Sequence, residues 1–258
     1  MLILLPPSEG KRAPGRGRPV DLATLSFPGL TDARRTVLDA LVSLCVREPE
    51  AARAALGLSA GQADEVARDA DLMTAPAAPA LRVYTGVLYE ALDAATLDAA
   101  AKRRAGRRLA VASALWGLLR PNDRIPAYRL SGGTRLPPLG TLTGLWREPL
   151  TAAISEAAGR GVVLDLRSSA YVALAPPAAP WAARTVVARV LQERDGTRTV
   201  VSHHNKHTKG LLARALVTTG DDPRTPDDLA GLCGALGFHA ELTAPARADR
   251  PWTLDLVT

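Results

Sequence analysis

Three observations in this 258-residue chain predict a mixed α/β (α+β) fold built on a central mixed sheet. Short continuous apolar runs at Leu2–Leu5 and 161–166 have the length and flanks of strands buried on both faces. Longer windows repeat at helical spacing, most clearly over Thr31–Arg47. Strand and helix signals then alternate to the end of the chain with no internal repeat. With 47% apolar residues the chain can bury a sizeable core. The reading is one compact domain over residues 1–258, with a small helical lobe at about residues 31–75.

The elements are justified in order. LILL at 2–5 ends at Pro6-Pro7, so a buried strand leaves the sheet there. Residues 8–19 are basic and rich in Gly and Pro, hence a loop. The Gly10-Lys11 pair lacks the spacing of a Walker loop, but Ser8, Lys11 and backbone amides can hold an anion. Thr31–Arg47 carries the stripe Val37, Leu38, Leu41, Val42 and Leu44 behind a Thr31 or Asp32 cap. Two short helices at 50–56 and 61–70 follow, in a layout resembling a helix-hairpin-helix with Gly61 at the turn. An ordinary helical hairpin fits the same residues. Residues 74–79 form a linker, and Tyr84-Thr85-Gly86 stands where a strand is expected to turn into a helix.

Residues 91–102 read as a helix and Leu109–Ser113 as a central strand. Residues 113–130, SALWGLLRPNDRIPAYRL, interleave apolar anchors with Arg120, Arg124 and Arg129, as in a rigid loop aimed at an anion. The bland alternative is a surface turn with solvated arginines. A helix at 143–158 carries Trp146, the best candidate for a partly exposed ring. The strand at 161–166 precedes Arg167, Ser168, Ser169 and Tyr171, which therefore sit beyond a carboxyl end, where sites of α/β sheets gather. Segments 185–190 and 197–202 read as an antiparallel hairpin around Asp195-Gly196. HHNKHTKG at 203–210 reads as a turn into a helix beginning near Thr208, so that Lys206 and Lys209 add charge to its first amides. A helix at 226–236 capped by Thr225 and an edge strand at Trp252–Val257 complete the chain.

Composition excludes several classes. No apolar run approaches the ~18–20 residues that span a bilayer. The amino-terminal MLILLPPSEGK has no preceding positive region, so it is read as a strand rather than a signal peptide, and the protein is expected in the cytoplasm. Cys45 and Cys233 have no metal-type spacing and are expected as buried free thiols. His203 and His207 are four apart, but the glutamate of a zinc helix is missing and Lys206 and Lys209 repel a cation. No metal or cofactor is expected. The net charge of +6 permits a polyanionic partner without requiring one.

Taken together, MLILLPPSEGK, VYTG at 83–86, LWGLLRPNDRIPAYRL at 115–130, VVLDLRSSAYV at 162–172 and KHTKGLLAR at 206–214 resemble the YaaA family of peroxide-stress proteins. The resemblance covers nearly the whole chain. Its most specific blocks are Gly117 to Pro121 and Pro126 to Leu130. It implies protection against hydrogen peroxide by limiting free iron and DNA damage. It also implies a distinctive mixed α/β fold with a positively charged cleft, a helix-hairpin-helix-like element and DNA binding. It carries no assigned reaction. The chain departs from the expected pattern at Ala170, where an acidic residue is usual, and at Lys209, which stands for an arginine.

Two functions follow. In the first, a basic cleft binds duplex or damaged DNA through Arg120, Arg124, Arg129, Lys206 and Lys209, with Lys11 at the edge. In the second, an enzyme acts on a small phosphorylated or nucleoside-like anion in the same cleft. There Tyr84, Thr85, Ser168, Ser169 and Tyr171 orient the substrate, the arginines hold its anion, and Glu9, Asp165 or His204 move protons, with Tyr128 a further candidate contact to the anion. The bland readings are ion pairs for Glu9 and Asp165 and solvated turns for the rest.

Overall fold

The computed structural model describes residues 1–194, 197–200 and 202–258, leaving aside the side chains of residues 194, 197, 200 and 202–204. Its centre is a mixed sheet. From one edge the strands run Ala240–Thr243, Trp252–Val257, Thr185–Arg194, Val163–Asp165, Leu2–Leu5, Leu109–Ser113 and Gly117–Leu119. The five middle strands are parallel, and both outermost pairs are antiparallel. Thr197–Val200 pairs with the distal half of Thr185–Arg194. The antiparallel hairpin is thus present, while its Asp195-Gly196 turn lies outside the described residues.

Leu2–Leu5 is the hub of the sheet. It pairs with Leu109–Ser113 on one side and Val163–Asp165 on the other, and all four of its leucine and isoleucine side chains are fully buried. An uninterrupted apolar run is what a strand covered on both faces requires. The carboxyl ends of these three strands deliver Pro6, Ala114 and Leu166 to one rim of the sheet.

Thr31–Arg47 is a helix as predicted, and Val37, Leu38, Leu41, Leu44 and Cys45 face the core. Arg34 lies on the same buried face. Its guanidinium donates to Trp116 O at 2.9 Å, Leu118 O at 2.8 Å and Ser26 O at 2.7 Å. An arginine therefore satisfies carbonyls along the otherwise open edge of Gly117–Leu119, the kind of exposed edge that sheets must cover. Pro49–Ala55 and Ala63–Ala70 pack against Thr31–Arg47, with a Ser59–Gln62 capping box between them. The lobe, residues 31–75, carries eight carboxylates against five arginines. Asp64 and Glu65 occupy the first turn of Ala63–Ala70, where a helix-hairpin-helix would meet phosphate.

Several expected elements differ. Tyr84-Thr85-Gly86 joins two short helices, Ala80–Val83 and Val87–Leu92, and no strand ends there. The helix expected at 91–102 is instead Ala99–Arg108, because the chain turns through a left-handed Asp93. Trp252–Val257 is interior, since Ala240–Thr243, which sequence reading missed, covers its outer side. Trp146 is fully buried. Its indole donates to Ala114 O at 2.8 Å, and its ring fills the space beside Gly117, where a Cβ would stand 2.6 Å from the ring.

A long helix runs over Ser202–Thr218, ahead of the capped helix Pro226–Ala235, so residues 203–210 are its first turns rather than a leading loop. Lys206 and Lys209 lie inside it and cannot mark an amino terminus at Thr208. Within the helix Gly210 faces Leu88 so tightly that a Cβ would stand 2.3 Å from Leu88 O. At the other end, Arg104 and Arg108 donate to the carbonyls of Leu216, Val217, Thr218, Thr219 and Asp221, closing the open end of the helix.

Candidate functional site

The site forms where loops leave the carboxyl ends of the central strands. After Leu2–Leu5 the chain passes Pro6 and Pro7 and doubles back at Ser8, whose hydroxyl donates to Gly10 O at 2.6 Å and accepts from Thr85 N at 3.0 Å. Lys11 then pairs with Tyr84 as an isolated antiparallel bridge, flanked by Arg12 N to Val83 O at 2.8 Å. This short ladder fixes where the Lys11 side chain starts. Its ammonium donates to Ser8 O at 2.8 Å and Glu9 O at 3.3 Å, and lies 4.2 Å from the Tyr128 ring centre and 5.7 Å from that of Tyr84.

Behind Lys11 runs a chain of hydroxyls. Tyr84 OH lies 2.9 Å from Tyr128 OH, which lies 2.7 Å from Ser113 Oγ. Ser113 Oγ in turn accepts from Trp116 N at 3.0 Å. Tyr89 stacks on Tyr84 and donates to Pro6 O at 2.7 Å. Burial raises all three phenols well above their ordinary range, so they remain neutral hydroxyls that can pass hydrogen bonds.

Asp69, from the helical lobe, supplies the acidic pole. It is fully buried; its Oδ1 accepts from Arg129 N at 2.8 Å, and its Oδ2 has no partner among the described residues. Burial pushes its carboxyl up to about 7, against the opposing pull of the Arg129 amide and Lys11. Burial first, and then the charge of Arg129, lowers the Lys11 amine to about 8, although Asp69, Glu65 and Glu9 pull the other way. One amine and one carboxyl, each charged at neutrality in water, are thereby both brought to titrate near it.

The remaining sequence candidates divide. Tyr84, Thr85, Tyr128 and Lys11 come together here. Arg129 borders the site and pairs with Glu9 at 3.2 Å, on a glutamate whose side chain is 79% exposed. Tyr171, whose phenol burial pushes up to about 12, reaches Ser131 and Gly132 on the same rim. Arg120 does not reach the site. It donates to Arg107 O at 2.8 Å and Leu109 O at 3.0 Å, at the opposite end of Leu109–Ser113, and lies over Phe27. Arg124 is exposed but bonded to Ala77 O at 2.6 Å. The loop of 113–130 thus spends these two arginines on carbonyls of the neighbouring segments it is packed against.

Asp165 is held by Arg167 in a fully buried two-point pair, 2.9 Å from Nε and 2.7 Å from Nη2, which occupies both of its oxygens. Ser168 and Ser169 are exposed at the start of the short helix Ser169–Leu174. Lys209 is buried and donates to Leu166 O at 3.3 Å, whereas Lys206 is exposed. The side chain of His204 lies outside the described residues. Beside the site, a groove of about 790 Å³ is lined by Arg12, Arg82, Tyr84, Thr85, Tyr89 and Lys102. Among the described residues no group of three or more His, Cys, Asp or Glu could hold a metal ion, and no helix is long and apolar enough to cross a membrane.

Asp69 is the residue that sequence reading passed over. Its signal is a carboxylate three positions after Val66 on the buried face of Ala63–Ala70.

The sequence matches the family described as "Peroxide stress protein YaaA" over residues 1–242. A UPF0246 protein of Streptomyces coelicolor is 54% identical over all of this chain and 98% of its own length. Another from Corynebacterium efficiens is 43% identical with both chains fully covered. One from Cereibacter sphaeroides is 34% identical over 96% of this chain and 97% of its own.

Proposed function

The chain belongs to the peroxide stress protein YaaA family, and from that premise we propose that its working centre is the Lys11 site together with the groove beside it, which holds a small phosphorylated or nucleoside-like anion and moves a proton on it. The observation that carries this reading is the placement of the Lys11 amine. Two carbonyls fix it, the Tyr128 face stabilises its charged form, and a buried carboxyl whose Oδ2 has no partner among the described residues shares its surroundings. An amine with a pKa of about 8 gives or takes a proton near neutral pH without a large penalty. The hydroxyls of Tyr84, Tyr128 and Ser113 adjust their hydrogen bonds as that charge changes.

A thermal-shift screen of nucleoside monophosphates and sugar phosphates tests the reading. AMP or a related ligand should raise the melting temperature of the wild-type chain, and Lys11→Met should abolish the shift. No shift with any member, or an equal shift in Lys11→Met, contradicts it.

One observation favours DNA as a second ligand. Arg12, Arg16 and Arg18 are exposed on the loop beside the groove, with no side-chain hydrogen bond or ion pair among the described residues. If they meet phosphates, duplex binding should weaken with salt by about 0.9 log units per contact per decade. The acidic lobe weighs against phosphate contacts through its helical hairpin. A salt slope near zero removes this reading.

A further inference from the structure

One face of the Ser202–Thr218 helix meets the same rim of the sheet, and two side chains on it are left short of partners. Asn205 and Lys209 are four residues apart and therefore share that face. Asn205 Oδ1 is buried with no partner among the described residues. Lys209 is 9% exposed, and its only hydrogen bond among the described residues is the 3.3 Å contact to Leu166 O. An ammonium has three hydrogens to give. The neighbouring carboxylate offers Lys209 little more, because Asp165 already accepts three hydrogens from Arg167, two at Oδ1 and one at Oδ2. Lys209 is thus the surplus cation in a buried group of one carboxylate and two positive side chains, an arrangement that costs free energy until an anion joins it.

The missing partner has a definite chemistry. It must bring negative charge to Lys209 and a hydrogen-bond donor to Asn205 Oδ1. A phosphate monoanion carries both, in its P–O⁻ and P–OH groups. Sulfate carries the charge but no proton at neutral pH. We infer that Lys209 and Asn205, on the rim where Leu166 leaves its strand, form the phosphate-binding subsite for the ligand of the Lys11 site, an inference that rests on the reading of a small phosphorylated ligand given above.

The test titrates the full chain with inorganic phosphate, sulfate and AMP by calorimetry. Phosphate should bind, and sulfate should bind about tenfold more weakly for want of the donor. Lys209→Met should weaken phosphate and AMP by about tenfold or more, and Asn205→Asp should do the same by like-charge repulsion. Arg103→Met, which removes an exposed cation on another helix, should leave both affinities unchanged. If Lys209→Met unfolds the chain, Asn205→Asp at a partly exposed position still decides the matter. Equal binding of phosphate by wild type and Asn205→Asp overturns the subsite, as does equal binding of phosphate and sulfate. If Lys11→Met loses AMP while Lys209→Met keeps it, the subsite fails and the Lys11 reading stands. If wild type binds neither phosphate nor AMP at millimolar concentration, both fail.

Discussion

The Lys11 ammonium lies 4.2 Å from the centre of the Tyr128 ring, whose hydroxyl is the middle link of a chain running from Tyr84 to Ser113. A lysine placed there is neither a solvated surface cation nor a salt-bridged one. Its charge depends on two carbonyls and a ring face, and small changes around it will move its proton.

Asp69 makes that environment measurable. Its folded value of about 7 lies above the 3.8 of an exposed carboxyl, so the protonated form favours the fold. The stabilisation is complete below the unfolded value and is lost as pH rises through the folded one. Wild-type stability should therefore fall over this interval, by up to ~1.4 kcal/mol per pH unit, while Asp69→Asn should lack this component. Lys11 has the opposite sign: its folded value is below its unfolded one, so stability returns as pH rises from about 8 to 10.5. Urea unfolding across pH checks both, and parallel profiles for wild type and Asp69→Asn contradict the assignment.

Tyr128→Phe removes the hydroxyl that joins Tyr84 to Ser113. Both partners stay buried, so the loss should cost about 1–3 kcal/mol in denaturant unfolding, more than a surface phenol would. A change near zero would mean that the hydroxyl chain contributes nothing.

Gly210→Ala introduces a methyl 2.3 Å from the Leu88 carbonyl oxygen. Backbone lies on both sides, so the helix must shift. Overpacking of this kind costs about 1–3 kcal/mol or more. A calorimetric melting temperature equal to that of wild type would show that the two helices are not in such close contact.

Burial raises the thiols of Cys45 and Cys233 to about 12, leaving almost no thiolate at neutral pH. A colorimetric disulfide reagent should modify neither until the chain is unfolded. Rapid reaction of either in the native state would reopen thiol chemistry as the link to peroxide.

Much of the fold was legible in the sequence because its strongest signals are local. The run Leu2–Leu5, the stripe of Thr31–Arg47 and the Thr225 cap each declare themselves within a few residues. The errors arose where distant packing decided. Nothing near Arg120 says that its guanidinium closes onto Arg107 and Leu109, and nothing near Trp146 says that Gly117 makes room for its ring. The start of the Ser202–Thr218 helix was misplaced because a polar stretch at 203–210 resembles a loop. At the site, Lys11, Tyr84 and Tyr128 could be named from their motifs. Their convergence could not, and Asp69 was hidden among the other acids of the lobe.

The most direct test is the pH dependence of Lys11 acylation, followed residue by residue by mass spectrometry on the intact chain. The account predicts half-maximal reactivity near pH 8, moving lower in Asp69→Asn as an opposing negative charge is lost. Reactivity that rises only near 10.5, unchanged in Asp69→Asn, would show Lys11 to be an ordinary surface lysine and contradict the central claim.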